Sequence, residues 1–279
     1  MKTASDESIP VKIIEPSHGW RWADLSAVWA YRDLVSVLVL RDIKVRYKQT
    51  LLGSAWVLLR PLGTMLIYTL VFGMMVRVPS EGHPYAIFVF SALLPWGFFS
   101  GVALTSANSL IASAPLISKV YFPRIVIPLA IAIGGLVDLF VSLAFLLLVM
   151  PFFGAGWSAS LCWLPLLILA VSVTSLGVGT LFSALTVSHR DFGNLVGYLV
   201  QVWLYVTPVI YPSTLVPPRW RFLLSVNPLA AQVEGFRAAI LGTPLDVRAL
   251  ALSFVVSFAI LVLGIAWFGR MERRFADIL

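Results

Sequence analysis

Read for groups that could make or break a bond, the 279-residue chain offers little. Its lysines are Lys2, Lys12, Lys44, Lys48 and Lys119, and none follows a glycine. The Gly-x-x-x-x-Gly-Lys-Ser/Thr loop that cradles nucleotide phosphates is therefore absent. His18, His83 and His189 are far apart, and Cys162 is the single cysteine; this set supplies neither the clustered ligands of a metal site nor an intrachain disulfide. Asp42, Asp191 and Glu234 lack the paired spacing of catalytic carboxylates, and no serine lies in Gly-x-Ser-x-Gly. No catalytic residue and no metal ligand is assigned, and the pattern favours a conduit over a catalyst.

The polar residues that do form patterns are suited to holding and guiding. Asn194, Tyr198, Gln201 and Tyr205 recur at steps of three and four, so on a helix they share one narrow face while Trp203 points elsewhere. A polar-aromatic stripe in an apolar segment suits a protein interior or a channel better than lipid, and flat rings offer stacking surface to sugars. Trp96, Phe99, Ser100 and Ala103 make a second such face. Helix–helix packing through small and polar residues is the alternative for both. Arg60 and Asp138 are charges inside apolar runs, where each costs at least ~2.5–3.5 kcal/mol by insertion scales; they are expected to face each other or a wet cavity, or Arg60 to line the substrate path, the alternative being a snorkelling Arg60 and a buried, hydrogen-bonded Asp138. Glu234 and Arg237, at i and i+3, are expected to form a surface pair worth ~0.2–0.5 kcal/mol.

The elements that carry these residues follow from composition. Hydrophobic residues make up 59% of the chain and charged ones 12%, with a mean hydropathy of +0.93. An ordinary soluble domain is about 45–50% apolar and about 25% charged, so a soluble enzyme, a disordered chain and a nucleic-acid binder are all excluded. The net charge of +7 then reads as basic flanks on the cytoplasmic side of a membrane. Six spans of about 20 apolar residues are predicted, near 53–76, 86–112, 126–150, 162–186, 193–211 and 249–269, the third and fourth hinged at Pro151–Gly156. With both termini inside, fourteen of the 20 Lys and Arg residues are cytoplasmic and five external, which supports an N-in, C-in orientation. Residues 1–21 lack the apolar core of a signal peptide and read as a cytoplasmic tail, as do 270–279. Residues 22–52 mix Trp, Leu, Arg and Asp and predict a broken amphipathic helix at the interface. A cytoplasmic loop at 113–125 and an outer loop at 212–248 complete the 53–269 membrane unit. In the outer loop, Asn227-Pro228 reads as an N-cap and first-turn proline. Leu229, Val233, Phe236 and Ile240 share a face, and Gly242 stops the helix. Two short helices dipping into the outer leaflet are expected there.

Three motifs stand out: Arg41-Asp42-Ile43-Lys44-Val45-Arg46-Tyr47-Lys48, Lys119-Val120-Tyr121-Phe122-Pro123-Arg124, and Asn227-Pro228 followed by Glu234 and Arg237. Together they resemble the permease subunits of type-2 ABC exporters, in the branch that moves lipid-linked polysaccharides (O-antigen, capsule and teichoic acid). Pro84-Tyr85, Leu94-Pro95-Trp96 and Phe98-Phe99 make the likeness greatest to the O-antigen permeases. The resemblance runs from about Trp22 to the C-terminal tail. It implies an all-α, six-span subunit of the bacterial inner membrane that assembles as a homodimer with two cytoplasmic ATPase subunits. This chain would bind no cofactor; ATP and Mg would be used by the partner. The substrate would be an undecaprenyl-pyrophosphate-linked polysaccharide moved from cytoplasm to periplasm. Tyr198, Gln201, Tyr205, Asn194, Trp96 and Phe99 would line the path. Arg41, Lys44, Arg46, Lys48 and Arg60 would meet lipid headgroups. Lys119, Tyr121, Phe122, Pro123 and Arg124 would couple to the ATPase, with the aromatic rings as rigid contact area. Asn227, Pro228, Glu234 and Arg237 would belong to an outer gate. The alternatives are a type-2 exporter of a lipid or drug, a membrane transferase acting on lipid-linked sugar, and a proton-coupled transporter using Asp138.

Overall fold

A computed structural model of the chain describes residues 25–47, 53–154 and 156–278. The 1–21 tail and Lys48 lie outside the described residues. Among the described residues the fold is all-helical, and five helices are long and apolar enough to cross a membrane: Trp56–Met75, Tyr85–Ala112, Val126–Phe153, Ala159–Ser188 and Val247–Glu272.

The amphipathic segment is two helices, α1 (Leu25–Ala30) and α2 (Arg32–Tyr47), broken at Tyr31. Val35 and Leu38 of α2 are buried, and α2 packs on α6 (Val126–Val149). The first spanning element begins as α3 (Trp56–Tyr68) and continues as a π-helical stretch over Thr69–Met75. Wide π turns of this length are rare and cluster at functional sites.

α4 (Tyr85–Ala112) is the central rod. It is flanked by α3, α6, α7 (Leu164–Ser188), α8 (Phe192–Val206) and α10 (Pro228–Leu241). The four-residue α5 (Ala114–Ile117) opens the 113–125 loop. Between α6 and α7 the chain turns at Gly154, whose φ of +76° is the left-handed conformation that glycine adopts without strain. This is the predicted Pro151–Gly156 hinge.

α7 and α11 (Val247–Ile278) make the closest helix crossing. A Cβ on Gly264 would stand 2.4 Å from the Gly177 carbonyl oxygen, and one on Gly177 would stand 2.7 Å from Leu261 Cα. Small residues that let backbones touch are how helices associate where the solvent is itself apolar. α11 also runs on through the residues expected to form a separate tail.

The fifth predicted span is shorter than expected. α8 has 15 residues, about 22 Å at 1.5 Å per residue, against a hydrocarbon core of about 30 Å. It stops at Val206 because Pro208 has no N–H and disfavours the helical conformation of the residue before it; Thr207 is extended, with φ −93° and ψ 135°.

The 212–248 segment contains the two short helices expected there, α9 (Arg221–Val226) and α10. The Asn227 side chain accepts from the Leu229 N–H, Pro228 is the first residue of α10, and Gly242 caps its end at φ +76°. Leu229, Val233, Phe236 and Ile240 are all buried, so the predicted apolar face is the one that packs.

Candidate functional site

Three helices present faces unlike a lipid-facing surface. On α3, Trp56, Arg60, Thr64 and Tyr68 follow at every fourth residue and line a cavity of about 840 Å³ shared with α4 and α6. On α4 the face toward this cavity includes Gly97, Ser100, Gly101, Leu104 and Thr105. A Cβ at Gly97 or Gly101 would meet nothing within 4 Å, so these glycines leave open space and do not serve close packing. On α8, Asn194, Tyr198, Gln201 and Tyr205 are all exposed, the two tyrosines by 64% and 60%. α8 lies against α4, where Gly193 sits beside the Asn108 side chain.

The charges predicted inside spans converge on the same cavity. Arg46, Arg60 and Asp138 all line it. Asp138 is paired with Arg46, whose Nη1 donates to Oδ2 at 2.9 Å. α2 thereby reaches from the amphipathic segment to the middle of α6, a link spanning 92 residues. Asp138 and Arg60 thus border one cavity, and the ion partner of Asp138 is Arg46.

Phe99 does not share that open face. It is fully buried and stands edge-on to Trp203, ring centroids 5.1 Å apart, so its contact is with α8 inside the same chain. Trp96 is also buried but borders the cavity. The second predicted aromatic face is thus shifted by about one residue. The open residues of α4 on this side are Gly97, Gly101, Leu104 and Thr105, with Ser100 half-buried among them. Trp203 points away from the tyrosine stripe as predicted, and its Nε1 donates to Asn227 Oδ1 at 3.1 Å.

At the amphipathic end, Arg41 and Lys44 are exposed, and Arg41 donates to Asp42 through Nε and Nη2. The 113–125 loop divides sharply. Tyr121 is 71% exposed and Lys119 is exposed. Phe122 is 4% exposed and belongs to the core. Arg124 donates through its backbone N–H to Glu272 Oε1 and through Nη1 to the Glu272 carbonyl. Phe122 and Arg124 therefore anchor the loop to the body of the protein. Lys119, Val120 and Tyr121 are the exposed side chains of this stretch, with Pro123 half-buried behind them.

At the other end, Asn227, Glu234 and Arg237 act together on the segment that follows α8. Asn227 Nδ2 donates to Thr207 Oγ1 at 3.0 Å. Arg237 is 2% exposed, not a surface residue. Its Nη2 donates to the carbonyls of Pro208 at 2.8 Å and Val209 at 3.2 Å. Its Nη1 donates to Glu234 Oε1 at 3.0 Å, and its Cζ lies 3.7 Å from the Phe88 ring centroid. The same Glu234 oxygen accepts from the Ser213 N–H. Burial pulls the guanidinium pKa down from the ordinary arginine value, and Glu234 pulls it back up. The expected surface pair is instead a buried charge, and a charge without water must be paired and hydrogen-bonded.

One cluster escaped the sequence reading. Gln232 is fully buried and its Nε2 reaches the hydroxyls of Thr174, Ser253 and Ser257 at 2.8, 3.1 and 3.0 Å. It ties α10 to α7 and α11. A glutamine beside Leu229, Val233 and Phe236 on the packed side of α10 was the available signal.

Similarity to known proteins bears on this arrangement. Residues 33–241 match the ABC-2 type transporter family. An O-antigen export system permease protein of Klebsiella pneumoniae is 32% identical over 254 residues, covering 88% of this chain and 95% of that protein. One from Myxococcus xanthus is 29% identical, covering 90% and 96%. A polysialic acid transport protein of Escherichia coli is 24% identical, covering 86% and 93%. With most of the chain matched and several apolar helices long enough to cross a bilayer, the chain is a multi-pass protein of the bacterial inner membrane and belongs to the ABC-2 type transporter family, as a permease subunit.

Proposed function

We propose that this chain is the transmembrane subunit of an ATP-driven exporter that moves undecaprenyl-pyrophosphate-linked polysaccharide, namely O-antigen, from cytoplasm to periplasm. It works as a homodimer with two cytoplasmic ATPase subunits that use ATP and Mg; the chain itself is non-catalytic. Both termini face the cytoplasm. α8 is the fifth of six spans, with the residues after its break completing the crossing. α1 and α2 lie at the cytoplasmic interface, where Arg41 and Lys44 meet lipid phosphates, while Arg46, expected among the headgroup contacts, is turned inward to Asp138. α5 with Lys119, Val120 and Tyr121 is the coupling contact. α9 and α10 form the outer gate region, which holds Asn227, Pro228, Glu234 and Arg237.

The observation that carries this reading is the exposed Asn-Tyr-Gln-Tyr stripe on α8, in a chain whose relatives are named for O-antigen export. Rings that stack on sugars without fixed hydrogen-bond partners let a polymer slip past one residue at a time. Arg60, in the cavity at the cytoplasmic half of α3, receives the pyrophosphate.

The test is export in a strain lacking the chain. The parent chain should restore surface polysaccharide, and Tyr198→Ala with Tyr205→Ala should reduce it at matched protein levels while ATPase binding persists. Tyr→Phe at both positions should be milder, because the ring remains. Normal surface polysaccharide in the double alanine strain would show that the stripe packs against protein and that the path lies elsewhere. Unaltered polysaccharide in the deletion strain, with loss of drug or lipid efflux, would favour an exporter of those substrates instead.

A further inference from the structure

Every backbone polar group at membrane depth needs a partner inside the protein, so a broken helix survives there only where side chains take over its carbonyls. The segment after α8 meets that condition residue by residue. Arg237 takes the carbonyls of Pro208 and Val209. The Tyr85 hydroxyl donates to the next one, Ile210, at 2.7 Å. The Tyr211 hydroxyl reaches back to the Tyr205 carbonyl at 2.9 Å. Thr207 Oγ1 donates to the Trp203 carbonyl and accepts from Asn227, which itself accepts from the Trp203 indole. Beyond the break, Glu234 holds the Ser213 N–H.

The helix that supplies this clamp is itself immobilised. α10 is bonded through Gln232 to α7 and α11, and its apolar face is buried. α8, by contrast, keeps most of its residues exposed, with only Val196 and Val200 buried. A helix with one exposed face is thus joined at its end to a buried helix.

We propose that Arg237 is a positioning residue for transport: its guanidinium pins the outer end of α8 to α10, and the stripe Tyr198–Tyr205 moves about that fixed point. The inference rests on the reading that this stripe borders the transport path. α10 is then the stationary side of the outer gate. Arginine is required because its planar fork serves several acceptors at once, whereas the point charge of a lysine does not. The Pro208 and Val209 carbonyls and the Glu234 carboxylate lie in different directions from it, and all three are within 3.2 Å.

The experiment is amide hydrogen exchange followed by mass spectrometry on the full chain in lipid nanodiscs, which reads local opening directly. Arg237→Lys keeps the charge and loses the fork. Peptides covering 199–213 should exchange about tenfold faster in it, while those from α4, α7 and α10 keep the parent's protection. Tyr85→Phe removes only the hydroxyl on Ile210 and should loosen the same peptides to a smaller degree; it decides the matter should Arg237→Lys fail to accumulate. Parent-like protection of 199–213 in both variants would overturn the proposal. So would loss of protection shared by α7 and α10, which would make Arg237 a general packing residue. Because the readout does not involve export, failure here is distinct from failure of the transport assay. In that assay Arg237→Lys should export less than the parent at equal abundance, and parent-like export would overturn the functional half of the inference.

Discussion

Tyr121 and Phe122 are neighbours in the chain with opposite environments. Phe122 is in the core and Tyr121 stands in solvent. Truncating a buried phenylalanine removes transfer energy and leaves a cavity, at about 3–5 kcal/mol. Phe122→Ala should therefore lower the thermal midpoint and the yield of the chain. Tyr121→Ala should leave stability within about 0.5 kcal/mol and instead weaken association with the ATPase subunit, as measured by co-purification. Equal loss of yield in both variants would refute the division. The sequence motif identified the loop but not this split, because consecutive residues in an irregular turn follow no helical period. Phe122 turns into the core, and two residues on Arg124 meets Glu272 of α11.

At the scale of the element, the glycines of this protein do two different jobs. Gly177 and Gly264 sit where α7 and α11 touch backbone to backbone, and any side chain there meets main-chain atoms that cannot turn aside. Gly264→Leu should prise the two helices apart and abolish stable accumulation, seen as loss of a sharp unfolding transition. Gly97 and Gly101 face open space, and replacing an exposed helical glycine removes a backbone entropy penalty of about 1 kcal/mol. Gly101→Leu should therefore fold at least as well as the parent and export less, because the new side chain fills the groove beside Ser100 and Thr105. Full export in Gly101→Leu would remove α4 from the path. The sequence shows all four glycines in long apolar runs and does not tell them apart. Their difference lies in what the neighbouring helix places opposite.

For the whole molecule, the lack of a phosphate-cradling Gly-Lys loop in the sequence sets the expectation for isolated chains. Preparations free of other subunits should release no phosphate from ATP above the buffer rate, and adding the ATPase subunit should restore turnover. Hydrolysis by the chain alone, surviving removal of all contaminating subunits, would contradict the division of labour.

The membrane class, the positions of five apolar helices and the capped helix at 228–241 were legible in the sequence alone. Each is written in a local quantity: hydropathy over about 20 residues, a 3.6-residue period, or a cap and stop at Asn227 and Gly242. The common face of Asn194, Tyr198, Gln201 and Tyr205 was legible for the same reason. The partners of the charged and polar side chains were not. Arg46 meets Asp138 across 92 residues, Arg237 reaches back to Pro208 and Val209, and Gln232 draws hydroxyls from two other helices. A buried charge or amide must find partners inside the protein, but which partners are in reach depends on how the helices cross. Tertiary structure also decided the length of α8. Its apolar run continues beyond Val206, yet the helix ends there, because Pro208 breaks it and Arg237, Asn227 and Tyr85 are at hand to satisfy the carbonyls and hydroxyl left behind.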